Sequence, residues 1–336
     1  MELQTTSYND FVKLAAVLWI KGADSIEQTM INSGIVKVED IPANSGNTRE
    51  YSEIDLEQYA KRKGEGDQAA RAKVQQGYTK TITTSRIGDN IGITYEMRTQ
   101  NKYPQVIAKL TNLGQMCNQR MDLDLSHRIG FGASTSYTNM DGETVTTTTG
   151  ETTSTALFDS THDLKGSSTT YRNILANNPR ISRGALEAME KLVTEQTYNN
   201  FGENMIANPT ILFTTNDPNT VNTVREYLNS SASPDGANSG VTNVYKSKYR
   251  HVVLPRIRLD ANGVVDTTKN YYWGLIDPML FSFYLGIWER PHMTVKSGAV
   301  SEDIQTDDWE FGTRAGYGIA TVSARGGWLS KGDASA

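Results

Sequence analysis

Apolar and polar positions change rhythm several times along this chain, and each rhythm predicts an element. Phe11, Leu14 and Leu18 fall at i, i+3 and i+7, with Asn9 or Asp10 before them as caps and Gly22 after them as a stop, which predicts a short amphipathic helix over 10–21. Turn-rich segments follow, Asn32-Ser33-Gly34 and Ile41-Pro42 onward to Asn47, the pattern of an extended arm. Ile91, Ile93, Tyr95 and Met97 then alternate with Gly92, Thr94, Glu96 and Arg98, Ile54 and Leu56 flank Asp55 in the same period of two, and 79–87 is rich in Thr and Ile. Residues 48–100 therefore predict two extended arms joined by a charged tip with room for a turn of helix. A two-stranded ribbon leaves one apolar face bare, so we expect it to lie across another surface, supplied by an adjacent copy of the chain.

From Tyr103 the period becomes helical. Ile107, Leu110, Gly114, Cys117, Met121 and Leu125 recur at spacings of three or four, and Pro104 suits a first turn. A helix over 104–129 would run roughly 40 Å at about 1.5 Å per residue, the length of a structural spine. Residues 133–155 are threonine-rich and predict a loop or strand pair. A second region then begins: a helix after Ser182 carrying Leu186, Met189 and Val193, a buried strand at Ile211-Leu212-Phe213, and a helix capped by Asp217 with Val221, Val224 and Leu228. Residues 230–240 read as a loop. Val252-Val253-Leu254 and Arg256 to Leu259 running into Asp260-Ala261-Asn262-Gly263 predict a hairpin, with 271–276 as its returning or neighbouring strand, and 291–328 return as strands. Helices and strands in this order make an α+β chain.

Composition sharpens the picture. At 336 residues the chain can hold one large or two ordinary domains, domains having about 100–200 residues each. Only 37% of residues are apolar and the mean hydropathy is −0.50. That is low for this length and fits a chain that buries surface against other chains. A net charge of −5 opposes the phosphate neutralisation a dedicated nucleic-acid reader needs. Cys117 is the single cysteine, which rules out an intrachain disulfide and suits a reducing cytoplasm. The longest apolar run, Leu14 to Ile20, falls far short of the about 20 residues of a membrane span, and the acidic N-terminus argues against a secretory signal.

Candidate chemistry is sparse. His127, His162, His251 and His292 occupy separate segments without metal-ligand spacing, so each is expected to be structural or superficial, and no catalytic, cofactor or metal residue is assigned. Asp307, Asp308 and Glu310 could supply an acid and a base, with Asp308 and Glu310 on one face of a strand, but intersubunit ion pairing or solvation is the better expectation. Gly316-x-Gly318 lacks a dinucleotide-binding context and reads as glycines that permit close strand packing. Two basic stretches remain, Lys61, Arg62, Lys63, Arg71 and Lys73 at the ribbon tip and Lys246, Lys248, Arg250, Arg256 and Arg258 further on. Both read as solvated surface or intersubunit contacts.

Several stretches in order resemble the major capsid proteins of tailed bacteriophages with the Hong Kong 97-type fold. They are Ile41-Pro42 through Arg49-Glu50-Tyr51, Val74-Gln75-Gln76-Gly77-Tyr78, Ile93-Thr94-Tyr95-Glu96-Met97, Asn101-Lys102-Tyr103, 271–278, and Phe311-Gly312-Thr313-Arg314-Ala315-Gly316-Tyr317-Gly318. The resemblance implies an N-terminal arm (1–47), an extended loop (48–100), a peripheral domain with the spine helix (101–154), an apical domain (155–290) and a return to the peripheral domain with a C-terminal tail (291–336). It implies a non-enzymatic protein of the virion, assembled in the host cytoplasm without cofactors. The chain would form pentamers and hexamers of an icosahedral head around double-stranded DNA. Its expected partners are copies of itself, a separate scaffolding protein, a portal and a decoration protein. Crosslinking through Lys61, Lys63, Lys73 or Lys80 is not expected. An encapsulin-like nanocompartment, a carboxylate-dependent hydrolase using Asp308 and Glu310, and a tail or adhesion protein are the alternatives.

Overall fold

The computed structural model describes residues 8–42, 46–100, 103–151, 154–232, 241–295 and 308–333. In chain order the elements are α1 (Tyr8–Asp24), α2 (Thr29–Asn32), β1 (Lys37–Asp40), β2 (Thr48–Leu56), β3 (Val74–Thr83), β4 (Ser85–Ile93), α3 (Tyr95–Thr99), α4 (Tyr103–Gly130), β5 (Ser136–Thr138), β6 (Thr144–Thr146), β7 (His162–Leu164), β8 (Ser167–Tyr171), α5 (Arg183–Glu195), β9 (Ile211–Thr214), α6 (Pro218–Asn229), β10 (Arg250–Val253), β11 (Trp273–Ile276), β12 (Phe283–Val295), β13 (Trp309–Thr321) and β14 (Gly327–Ser330).

Two four-stranded sheets organise the molecule, in the orders β1-β12-β13-β4 and β10-β9-β11-β14. The first is built on the long antiparallel pair β12–β13, whose register shifts flank Trp288 and Pro291, where a strand must accommodate a residue without an N–H. The spine α4 has 28 residues, about 42 Å at about 1.5 Å per residue, and buries Leu110, Leu113, Met121 and Leu125. At one end Leu110 and Leu113 meet Phe11, Trp309, Phe311 and Ile93 in one apolar cluster, with the Phe11 ring centroid 4.9 Å from Trp309 and 5.6 Å from Phe311. Further along, Met121 and Leu125 join a second cluster with Phe213, Phe281 and Phe283. The second sheet carries α5 and α6 on a third cluster around Trp273 and Trp328.

The predicted cap at Asp217 holds, accepting from the Thr220 N–H, and Ser182 caps the helix expected after it by accepting from the Ala185 N–H. Residues 133–155 do include a strand pair, β5–β6. Four expectations change. First, α1 is longer than 10–21, so Asn9 and Asp10 lie inside it and Gly22 does not end it. Gly22 sits where a Cβ would strike the Thr111 carbonyl, and Gly114 where one would strike that of Trp19, so the two glycines let α1 cross α4 closely.

Second, the alternation over 91–97 is not one strand. Thr94 is extended and its hydroxyl accepts from the Met97 N–H, which ends β4 and caps α3. Ile93 and Met97 join the same cluster at a spacing of four, while Tyr95, which a strand would place beside Ile93, is exposed. Third, the ribbon consists of β2 and β3 alone. β4 turns away and pairs with β13 from Ile93↔Trp309 to Ser85↔Tyr317, and the tip 57–73 forms no helix.

Fourth, the 252–276 hairpin reduces to the single bridge Leu259↔Val265, because the chain from Pro255 coils into a 3-10 turn. β10 instead pairs parallel with β9 across the α6 crossover, and β9 separates it from β11. The expected loop at 230–240 lies mostly outside the described residues.

Candidate assembly interface

In β2, Glu53 and Asp55 alternate with Ile54 and Leu56, so a flat strand sends the carboxylates to one face and the aliphatic groups to the other. The carboxylate face lies on the chain's own body. Arg325 is 8% exposed. Its Nη2 is 2.6 Å from Glu53 Oε2, its Nη1 2.8 Å from Asp55 Oδ2 and 3.3 Å from the Tyr198 carbonyl, and its Nε 3.2 Å from Ser323 Oγ. Asp55 Oδ2 also accepts from the Asn200 backbone N–H (2.8 Å) and from Asn200 Nδ2 (2.9 Å). Burial works against the charge on Arg325, yet the two carboxylates outweigh it and hold the guanidinium above the ordinary arginine pKa.

A register shift between Ser52 and Ile54 leaves Gly77 and Tyr78 opposite Glu53. A Cβ on Gly77 would meet Asn200 Nδ2 and the Glu53 side chain, so glycine permits the close seat. Lys165 Nζ donates to the Gly77 carbonyl at 2.9 Å.

A second polar cluster lies alongside. His162 Nδ1 is 3.0 Å from Glu151 Oε2 and its Nε2 3.0 Å from Asn173 Oδ1. The Asn173 Nδ2 donates to the carbonyls of Leu157 and Ala324. Both ring nitrogens thus face acceptors. Tyr171 stacks on His162 and donates to Glu151; burial first, then Glu151, raises its pKa well above that of an ordinary phenol. Burial and then Glu151, Asp163 and Glu53 likewise raise the pKa of Tyr78 on β3.

The other face is bare. Ile54 is 67%, Leu56 57% and Val74 63% exposed, Leu56 stands opposite Val74 in the register, and Tyr59 beyond them is also exposed. At the ribbon's base Ile82 is buried with Ile41 and Ala320. The expectation of cover from an adjacent copy is thus corrected in one respect. The charged face is covered by this chain itself through Arg325, and only the apolar face lacks cover.

Lys61, Arg62, Lys63, Arg71 and Lys73 lie exposed along the tip. Lys61 pairs with Glu57 at 3.5 Å, and the Lys73 backbone N–H donates to the same carboxylate at 3.1 Å. Lys80 is committed elsewhere, to the carbonyls of Thr148 and Thr149, and burial lowers its pKa. Asp307 lies outside the described residues. Asp308 and Glu310 are half-buried beside and within the start of β13, where Trp309 and Phe311 point into the core between them. Among the described residues no ion pair joins them to the tip cations. The second basic stretch is largely spent within the chain, Lys248 on Glu190 (2.7 Å), Arg256 on Asp122 (2.9 Å) and Arg250 on the Ser33 carbonyl.

Gly316 packs against Trp288 and Gly318 against Ile82, as close strand packing requires. Sequence reasoning missed Arg325, Asn200 and Gly77. The alternation of Glu53 and Asp55 was the available signal, since a buried acidic face demands a cation, but nothing local marks Arg325 as that cation.

A groove of about 910 Å³ runs between α4, β4, β13 and the β5–β6 pair. Apolar Met116, Leu123, Met140 and Val145 line it together with Asp89, Asp141 and Glu143. Arg120 bridges Asp124 (3.0 Å) and Asp141 (2.6 Å) there, and Tyr317 donates to Asp124 (2.6 Å). Among the described residues no helix is long and apolar enough to cross a membrane, and no group of three or more His, Cys, Asp or Glu is placed to hold a metal ion.

A spine helix beneath a long-stranded sheet, a second sheet with helices, and a protruding ribbon define the Hong Kong 97-type capsid fold. A chain from Gordonia phage Cozz is 12% identical, covering 90% of this chain and 89% of its own, with a TM-score of 0.50. The capsid structure of cyanophage P-SCSP1u is also 12% identical, covering 88% and 85%, with a TM-score of 0.50. No curated protein matches. The phage capsid protein family matches residues 77–330, and the chain belongs to that family. It is a shell protein of the virion.

Proposed function

We propose that this chain is the major capsid protein of a tailed phage, assembling as pentamers and hexamers into an icosahedral head around double-stranded DNA, and that it is not an enzyme. The observation that carries the reading is the ribbon's bare apolar face, Ile54, Leu56 and Val74, beside a cationic tip. Together these form a surface that is costly in water and useful against a neighbour. Its complement on the next copy is the groove along α4, where Met116, Met140 and Val145 can meet the aliphatic face, the charges of its lining being mixed, Asp89, Asp141 and Glu143 beside Arg86, Arg120 and Arg128. Such a contact is heterologous, one patch against a different patch, the kind that builds rings when the rotation between copies closes.

Residues 1–47 then serve as the arm, 48–100 as the extended loop, 101–154 with 291–336 as the peripheral domain and 155–290 as the apical domain. The net charge of −5 favours packaging without sequence-specific contacts. A separate scaffolding protein, a portal and a decoration protein are the expected partners, with assembly in the host cytoplasm. Electron microscopy of the purified chain, alone and with its scaffold, tests the reading. Shells or capsomers are expected, and a monodisperse monomer at high concentration under both conditions would overturn it.

A further inference from the structure

The base of the ribbon and its middle are held by different forces. At the base Ile82 is buried against Ile41 and Ala320, and the Thr84 N–H donates to the Asn47 carbonyl at 2.8 Å, so the root is fixed by apolar packing and backbone pairing. In the middle the body-facing contact is ionic: Glu53 and Asp55 on Arg325, with Asn200 completing the set. The bulge at Ser52–Ile54, where the ladder is locally interrupted, holds Glu53 itself, so the weakest point of the ladder and the clamp coincide. Beyond the clamp the tip has no regular element and its aliphatic side chains touch water, the Gln58 N–H donating to Glu203 Oε2 at 3.0 Å as a further tie to the body.

We propose that Arg325 is a latch fixing the angle of the ribbon against its own chain, and that the ribbon beyond its root swings as a unit when the latch opens. A buried charge cluster of this kind has two favourable conditions, all charges matched or all hydrated, because separating one partner strands the others without water. Half-open positions are costly, which makes the device a switch and not a soft spring. Arg325 also lies in the link from β13 to β14, the passage between the two sheets, and bonds the Tyr198 carbonyl as well. The latch therefore ties the ribbon's angle to the placement of both sheets. It is read from contacts within one chain, and only its consequence for assembly rests on the docking role given above.

The test is hydrogen exchange by mass spectrometry on the unassembled full chain. Arg325→Met should speed exchange in 50–56 and 74–79 at least tenfold and leave β9, β12 and β13 unchanged, with Arg325→Lys intermediate. The paired change Glu53→Gln and Asp55→Asn attacks the latch from the ribbon side. Gly77→Ala pries it by volume without altering any charge, and both should give the same local pattern. These two variants keep the question open to test if Arg325→Met does not fold. Unchanged ribbon exchange in the variants that fold would overturn the proposal. Equal acceleration throughout the molecule would overturn it too, since Arg325 would then be a general staple. A ribbon that loosens while shell formation is unaffected would uphold the latch and count against docking of the ribbon on a neighbour.

Discussion

The ribbon β2–β3 and the pair β12–β13 are both long antiparallel ladders, yet they solve the problem of burial in opposite ways. β13 buries alternate residues from Trp309 onward under α1 and α4, so its apolar face is covered within the chain and its one carboxylate, Glu310, points away. β2 does the reverse, placing Glu53 and Asp55 against the body and leaving Ile54 and Leu56 outside. An apolar face turned inward stabilises one subunit. An acidic face turned inward contributes little net stability, since desolvation offsets the ion pairs, but it fixes orientation and keeps the apolar surface free for another molecule.

This contrast can be broken from the stable side first. Phe311→Ala should cost about 3–5 kcal/mol, because the residue is fully buried between Phe11 and the spine. Denaturant melts should read this as a lower midpoint. Acid tests the same body more gently. Burial, followed by the nearby charge of Lys269, lowers the pKa of His127 to about 4, against a smaller opposing pull from the Asp260 backbone. An unfolded histidine titrates near about 6.5. The folded chain therefore keeps its full stability above that pH and loses about 1.4 kcal/mol per pH unit from this residue as pH falls toward 4. His127→Phe should flatten that part of the stability profile.

The ribbon should respond differently. Ile54→Asp with Leu56→Asp should change subunit stability by only about 0.5 kcal/mol, as for exposed positions generally, while abolishing shell formation in sedimentation or microscopy. Smallest of all, replacing Lys61, Arg62 and Lys63 by Ala should leave the melt unchanged and weaken assembly modestly. The effect should fade as added salt screens the same charges in the unaltered chain.

Legibility in the sequence followed the range of the forces. The spine, the helix after Ser182, the cap at Asp217 and the buried strand at 211–213 were readable because each depends on neighbours within a few residues. The boundary at Thr94 was missed because Ile93 and Met97, four apart, fit a strand face and a helical turn equally well. Only the exposed Tyr95 separates the two. The false hairpin at 252–276 had the right turn residues, but β9, well upstream in the chain, offered β10 and β11 better partners.

By itself, the sequence determined the periodicities, and through them the elements, the ribbon and the surplus of surface seeking a partner. Only the tertiary structure decided that β4 leaves the ribbon for β13, that β14 crosses to the second sheet, and that Arg325 rather than a tip cation meets Glu53 and Asp55. The reason is physical. Propensity and capping act over a turn or two of chain, whereas an ion pair between residues 270 positions apart forms only once packing has brought both to one dry site.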